Sequence, residues 1–437
     1  MKAVQTKRLL TGGRVDRTQP IEFRFDGKRY QGFVGDTLAS ALLANGVNIV
    51  SRSFKLHRPR GILAAGTEEP NGIMQIGRAG HAQPNPRATQ VELFDGLEAR
   101  STKGWPSVNF DVAQVNDVFS RLLGAGFYYK TFMYPRFLWR FYERFIRAAA
   151  GFGNAPDRAD PDRYEHSNAH CDMLIAGAGP AGLMAALVAA RSGARVIIAD
   201  EQNELGGSLL TTTQWIDGAP AASWLQAVLS ELNASAEVRL LSRTTVFGYH
   251  DHNFVTLAER CTDHLSPGQR KGVRERLWRV RAKQVVLAQG AFERPLVFCN
   301  NDRPGIMLAS AVSSYVNRFA VKPGERAVVF TNNDSAYQSA VDLHREGVTV
   351  VAVVDSRVTG AGEIHARVVA LNIPVITGHL VIDVSGSRRV KAVTLASWDG
   401  QTEASLTVTK TLACDLLAMS GGWSPAVHLH SQAGGKI

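Results

Sequence analysis

Three glycines and an acid set the chemistry that this chain can perform. Gly177, Gly179 and Gly182 stand in Asp172-Met173-Leu174-Ile175-Ala176-Gly177-Ala178-Gly179-Pro180-Ala181-Gly182, and Asp200 ends the apolar run Val196-Ile197-Ile198-Ala199. A first glycine permits a tight turn, a second lets backbone approach a pyrophosphate, and a third lets helix and strand pack closely. The N–H groups of the helix start then face the phosphates. Asp200 falls where a ribose diol needs an acceptor, at a spacing of roughly 20 residues. Two other readings of the stretch are an ordinary strand-to-helix turn and a membrane span over Met173 to Ala190. The Gly-Ala-Gly-Pro-Ala-Gly core and its βαβ continuation argue against both, so the expectation is a dinucleotide site that includes Pro180 and Ala181.

The elements that must position these residues follow along the chain. After Asp200 come Glu201, Gln202 and the loop Leu205-Gly206-Gly207-Ser208, with Gly207 and Ser208 expected along the pyrophosphate and ribose. Thr244-Thr245-Val246-Phe247-Gly248 reads as a strand whose backbone at Val246 packs on the adenine. Val285 to Ala291 is an apolar strand closed by the turn at Gly290, and the segment ending in Ser424 and Leu429 is expected to return to the same domain. A second βαβ unit runs from Ala327 through Thr331-Asn332-Asn333-Asp334-Ser335-Ala336 to Asp355. Its turn has none of the fingerprint glycines, so close phosphate approach is not expected there.

Ahead of these lies a different module. Ile21-Glu22-Phe23-Arg24-Phe25, the turn Asp26-Gly27-Lys28 and a strand through Tyr30 and Phe33 form a hairpin signal, and Gly35-Asp36-Thr37 caps a helix that stops at Gly46. Hairpin then helix is how a β-grasp, ferredoxin-like domain begins. The first cysteine is Cys171, so no [2Fe–2S] cluster is expected in it. The fold class is therefore α/β with an α+β N-terminal module. The expected domains are 1–105 (β-grasp), 106–168 (aromatic-basic helical segment and linker, the linker at 154–168), 169–292 with 412–437 (first dinucleotide-binding domain) and 293–411 (degenerate second). The chain stops at Ile437 inside an expected helix, as the front part of a longer polypeptide would.

Composition narrows the functions. The chain has 437 residues, 45% hydrophobic and 20% charged, which suits a globular protein of two or three domains. Its formal charge is +10, and residues 1–60 hold 12 Lys and Arg against 4 Asp and Glu. No nucleic-acid motif accompanies that excess, so an acidic partner or anionic ligand is expected instead. The basic loop Phe54 to Gly61 and the aromatic stretch Phe127 to Phe145 are expected to face a partner, with Arg58 and Arg60 meeting acidic groups or a flavin phosphate. Cys171, Cys261, Cys299 and Cys414 are far apart and contain no Cys-x-x-Cys pair, and the N-terminus has no continuous apolar segment. These point to a reducing, cytoplasmic compartment, with no metal site and no membrane.

Several motifs resemble those of the heterotetrameric sarcosine oxidase α subunits. They are Arg8-Leu9-Leu10-Thr11-Gly12-Gly13-Arg14-Val15-Asp16-Arg17, Gly35 to Gly46, Ser53-Phe54-Lys55-Leu56-His57-Arg58-Pro59-Arg60-Gly61, Gly124 to Met133, and Arg294 to Phe298. The resemblance implies oxidative demethylation of sarcosine to glycine, with oxygen reduced to hydrogen peroxide and the one-carbon unit passed to tetrahydrofolate. It implies NAD in this chain, FAD and FMN in or shared with a flavin-carrying β subunit, further small subunits, and a C-terminal folate domain absent from this sequence. Catalytic residues are unknown: no Ser/His/Asp set or paired carboxylates stand out, and His57 and His170 read as polar loop residues. The other readings are a stand-alone FAD-dependent NAD(P)H oxidoreductase and a non-catalytic nucleotide-binding assembly subunit.

Overall fold

The alternation Ile21, Phe23, Phe25 places three apolar side chains on one face, all buried, in β1 (Asp16–Phe25), which pairs antiparallel with β2 (Lys28–Val34). Asp26 and Gly27 between them both have positive φ, 46° and 79°, the backbone that a two-residue hairpin turn demands. α1 (Leu38–Ala44) follows, fully buried, and its start is a reciprocal cap: Thr37 Oγ1 accepts from Ser40 N–H while Ser40 Oγ accepts from Thr37 N–H. With β3 (Ile73–Ile76), β4 (Gln83–Arg87) and β5 (Glu98–Ser101), the strands form a sheet ordered β2-β1-β5-β3-β4, the expected β-grasp.

The loop between α1 and β3 is organised by a buried carboxylate. Glu69 accepts backbone N–H bonds from Leu63, Ala64, Asn71 and Gly72 at 2.7–2.9 Å. Burial raises its pKa and those four bonds oppose the rise.

The structure is a computed structural model that describes residues 5–122, 124, 126, 134–359, 362–400 and 406–436. The chain divides into two units, Met1–Asp160 with Pro295–Gly422, and Pro161–Arg294 with Trp423–Ile437. In the first unit α2 (Trp139–Ala150) follows the β-grasp after a short 3-10 turn at Arg136–Leu138, while residues 127–133 of the expected aromatic segment lie outside the described residues. No helix among the described residues is long and apolar enough to cross a membrane.

The second unit begins with β6 (Arg163–Ala176), so the expected linker 154–168 is already strand from Arg163 on. Charged residues alternate there because this end of β6 pairs with the equally charged first half of a neighbouring strand, an alternation that composition alone reads as loop. The elements that follow are α3 (Pro180–Arg191), β7 (Val196–Ala199), α4 (Ala221–Ala234), β8 (Val238–Leu241), β9 (Thr244–His250), β10 (Phe254–Arg260) and β11 (Val273–Leu287). The sheet order is β8-β7-β6-β11-β10-β9, with the first four strands parallel. This is the doubly wound arrangement, with its switch point between β6 and β11. Leu174, Ile175, Leu183, Ile198 and Leu232 are fully buried around it. β12 (Ala291–Glu293) leads out of this unit.

Back in the first unit, β13 (Ile306–Leu308), α5 (Ala309–Asn317), β14 (Arg326–Thr331), α6 (Tyr337–Arg345), β15 (Thr349–Asp355) and β16 (Val375–Thr377) build a second parallel sheet. An antiparallel sheet of β17 (His379–Ser385), β18 (Ala392–Ser397) and β19 (Thr407–Ala413) follows. Then β20 (Leu416–Ser420) corrects the expected boundary: it inserts between β13 and β14, giving the order β13-β20-β14-β15-β16. Every residue of β20 is buried, and an apolar run buried on both faces fits a parallel sheet of either unit equally well. The chain rejoins the second unit only with β21 (Trp423–Pro425), paired to β12, and α7 (His428–Gln432).

A second correction concerns the basic loop. Arg58 and Arg60 are about one-fifth exposed and pair with Asp302 of their own unit, so their charge is turned inward. A distant acid can draw inward arginines that look unmatched in sequence.

Candidate dinucleotide site

β6 ends at Ala176, and Gly177 turns the chain with φ 102°. A Cβ on Gly177 would lie 2.3 Å from the Ala288 carbonyl oxygen, and one on Gly182 would lie 1.9 Å from the Gly177 oxygen. Neither position admits a side chain, because backbone rather than a flexible tip occupies the space. Gly179 differs, since a Cβ there would meet nothing within 4 Å. The turn is thus closed toward the protein at Gly177 and Gly182 and open outward at Gly179, as a bound phosphate requires. Gly179 caps α3 without a side-chain hydrogen bond, and Pro180 supplies the first helical position.

Gly207 (φ 53°) comes so near that its Cβ would lie 2.8 Å from Gly179 Cα, and Gly206 N–H donates to the Ala178 oxygen at 2.9 Å. The glycines at 206–207 therefore lie along the turn as expected, with Ser208 exposed beside them. Across the switch point, Ala288 meets Gly177 and Gly182. Its neighbour Gln289 was not anticipated: Gln289 Oε1 is buried without a hydrogen-bond partner. A polar residue closing an apolar strand just before Gly290 was the available signal.

Asp200 is the residue whose role the structure enlarges. Its Oδ2 accepts from Ala178 N–H at 2.8 Å and its Oδ1 from Gln202 N–H at 2.9 Å. The carboxylate thereby clasps the glycine turn to the end of β7. Thr244 N–H donates to the Asp200 carbonyl, so β9 starts beside it, but the Val246 side chain packs into the core with Val255 and Leu257. Glu201 and Gln202 are half-buried, their carbonyls taken by Arg260 and by Arg243 N–H.

The remaining candidates gather at the far side of the switch point. The Gly290 oxygen accepts from Ala426 N–H at 3.0 Å, and Ser424 stands opposite Phe292 in the β12–β21 pair. Leu429 is buried on α7, which Gln432 ties to β9 through Tyr249 N–H and the Phe247 oxygen. All these residues belong to the second unit.

The matching position in the first unit is closed. Asp355 ends β15 with no exposure, and its carboxylate takes the Tyr337 hydroxyl at 2.7 Å and the Arg357 guanidinium. The turn before α6 is capped by Asn333, which accepts from Ser335 N–H. His57 is also committed, its Nδ1 lying 2.7 Å from buried Asp111.

Residues 18–104 match a family model described as a 2Fe-2S iron-sulfur cluster binding domain, and residues 172–274 match one described as FAD dependent oxidoreductase. The first match is one of fold, because no cysteine precedes Cys171 and the thiolates that hold such a cluster are missing. The second unit fits a dinucleotide: an outward-open glycine, a cradle that side chains would fill, and an orphaned polar atom beside it. The chain is 49% identical over 431 residues to sarcosine oxidase subunit alpha of Rhizobium meliloti (strain 1021), covering 98% of this chain and 42% of that one. It is 40% identical over 444 residues to the same subunit of Corynebacterium sp. (strain U-96), covering 100% of this chain and 40% of the relative. It thus spans about two fifths of the length of these curated relatives. The crystal structure of L-proline dehydrogenase from P. horikoshii shares the fold over 98% of this chain and 65% of its own, with TM-score 0.60 at 19% identity.

Proposed function

We propose that this chain, a homologue of the sarcosine oxidase α subunits along nearly its whole length, is the nucleotide-binding part of such a subunit and serves the oxidation of sarcosine. What carries the reading is 49% identity sustained over 98% of the chain. The reaction is the oxidative demethylation of sarcosine to glycine, with oxygen reduced to hydrogen peroxide. In this reading the amine-oxidising FAD and an FMN reside in or against a flavin-carrying β subunit, and the one-carbon unit reaches tetrahydrofolate through a domain beyond this sequence. The compartment is the reducing cytoplasm.

In the second unit the proposed ligand is NAD, whose nicotinamide, when bound, can exchange a hydride. Gly177, Gly179, Gly182 and Gly207 would hold its pyrophosphate, Asp200 a ribose, and Gln289 a polar group at the switch point. The partner would dock on α2 and the turn before it, where Phe137 of the turn and Trp139, Phe141 and Phe145 of the helix are exposed between arginines. Apolar surface of that density is costly in water.

A stand-alone FAD-dependent reductase is favoured only by the match over 172–274, and Tyr337 and Arg357 filling the second nucleotide position oppose it. The deciding experiment is purification of the chain alone and with a co-expressed β subunit, followed by the absorption spectrum, chromatography of the nucleotide released by acid, and sarcosine-dependent peroxide formation. NAD without flavin in the isolated chain, and turnover only in the complex, is the expected result. A stoichiometric flavin in the chain alone would establish the reductase reading. A chain that binds its partner without adding turnover would be an assembly subunit.

A further inference from the structure

The first unit contains a small cavity of about 190 Å³, lined by Arg60, Gly61, Asn71, Asn301, Asp302 and Arg303 among others. Its charge balance is unusual. Arg58 Nη2 lies 3.1 Å from Asp302 Oδ1, and Arg60 pairs with Oδ2 of the same carboxylate. Arg58 and Arg303 also share one acceptor, Asn300 Oδ1, at 2.5 Å and 3.2 Å. Three guanidiniums therefore converge on one carboxylate and one amide oxygen. The next acid, Asp117, is 3.9 Å from Arg58 Nε, and Asp383 is occupied by Asn300 Nδ2 at 2.8 Å.

Two donors in this cluster have no acceptor. Arg58 Nε and Arg303 Nε are both buried and without a hydrogen-bond partner, and Asp302 Oδ1, ion-paired with Arg58 Nη2, is buried without a hydrogen bond too. An unmet guanidinium donor is costly, because desolvation is incurred with no bond to offset it. Burial together with Arg58 and Arg303 pushes Arg60 down to about 10, and burial with Arg60 lowers the neighbouring Lys103 as well. The cluster repels itself, and a bound anion would relieve that.

We propose that this cavity binds a phosphate group, either as the free ion or as the terminal group of a larger ligand, through the forked guanidiniums of Arg60 and Arg303 with Arg58 behind them. Arginine's planar fork matches two phosphate oxygens at once, which a carboxylate in so small a space exploits less fully. Asp302 is the one lining carboxylate among the described residues and would oppose the anion, setting a modest affinity.

The test is calorimetric titration of the full chain with inorganic phosphate, ribose 5-phosphate and acetate at constant ionic strength, with folding checked by circular dichroism. Phosphate is expected to bind at one site more tightly than acetate. Arg303→Gln should weaken it about ten- to a hundredfold, the worth of one charge-assisted contact. Asp302→Asn should strengthen it, and decides the matter if Arg303→Gln does not fold. Ribose 5-phosphate at least tenfold tighter than phosphate would identify a terminal group, and equal affinities a free-ion site. No phosphate binding by the folded protein, acetate binding equally well, or unchanged or weaker binding in Asp302→Asn would overturn the proposal. So would phosphate binding lost in Gly179→Ala but kept in Arg303→Gln, which would place the ion at the dinucleotide turn. That arm leaves the NAD reading intact whichever way the cavity result falls.

Discussion

Asp200→Ala removes one acceptor from two backbone donors, Ala178 N–H at 2.8 Å and Gln202 N–H at 2.9 Å. A hydrogen bond to a charged group contributes roughly 1.5–3 kcal/mol, and the partial exposure of Asp200 places each bond at the lower end. The second unit should lose about 3 kcal/mol, which at roughly 2–4 °C per kcal/mol lowers its melting transition by about 6–12 °C. Asp200→Asn keeps one acceptor but turns an NH₂ toward the other donor, so about half that loss is expected. Binding is a separate loss. Without the ribose acceptor NAD should bind about tenfold less tightly, and the stabilisation it gives at fixed saturating concentration should shrink by about 1.4 kcal/mol. Scanning calorimetry with and without NAD, and titration well below the transition, measure the two effects independently. An Asp200→Ala protein that melts like wild type would refute the clasp. One that melts early yet binds NAD normally would make Asp200 a structural residue only.

The glycines should separate by the space around them: Gly182→Ala drives a Cβ to 1.9 Å from the Gly177 oxygen and should lower the melting temperature. Gly179→Ala, with nothing within 4 Å, should melt normally but lose NAD affinity, and equal melting of the two variants would contradict this. Reconstitution with iron and sulfide should load no cluster onto residues 18–104, and stoichiometric iron with acid-labile sulfide in that domain would sink the fold-only reading of it. Thiol alkylation should label exposed Cys299 first. Burial holds Cys171 and Cys261 up at about 11 and Cys414 at about 12, so their labelling rates should climb with pH throughout the alkaline range as thiolate forms, and a plateau near neutrality at any of them would contradict that burial.

What was legible in the sequence is what leaves the chain no choice. Gly177 and Gly182 are fixed by backbone atoms within 2.3 Å of a missing Cβ, and Asp26-Gly27 by two positive φ angles. Such constraints are local, so residue type records them. The placement of Leu416–Ser420 is not local, because its burial is satisfied equally by two parallel sheets and only its register against Ala327–Thr331 decides. Likewise nothing near Arg58 and Arg60 in sequence announces Asp302, some 240 positions away. The bond from Ala178 N–H to Asp200 was hidden for a further reason. An acid at the end of a second strand reads as a ligand acceptor, and its first partner turned out to be the turn that it was expected to accompany.

The two βαβ halves make the same point from opposite sides. Asp200 and Asp355 occupy equivalent places, each ending the strand that follows the helix. Asp200 accepts from the main-chain N–H groups of Ala178 and Gln202 and stays partly exposed. Asp355 likewise accepts from the backbone N–H two residues on, that of Arg357 at 2.9 Å, but it also holds the side chains of Tyr337 and Arg357 and is sealed at zero exposure. Bulky side-chain partners such as Tyr337 cover the acid they hold, which backbone N–H groups do not. The turn without fingerprint glycines and the sealed acid thus occur together in the same half. The outward-open glycine in the second unit and the sealed acid in the first support the proposal that nucleotide binding belongs to the former and structural support to the latter.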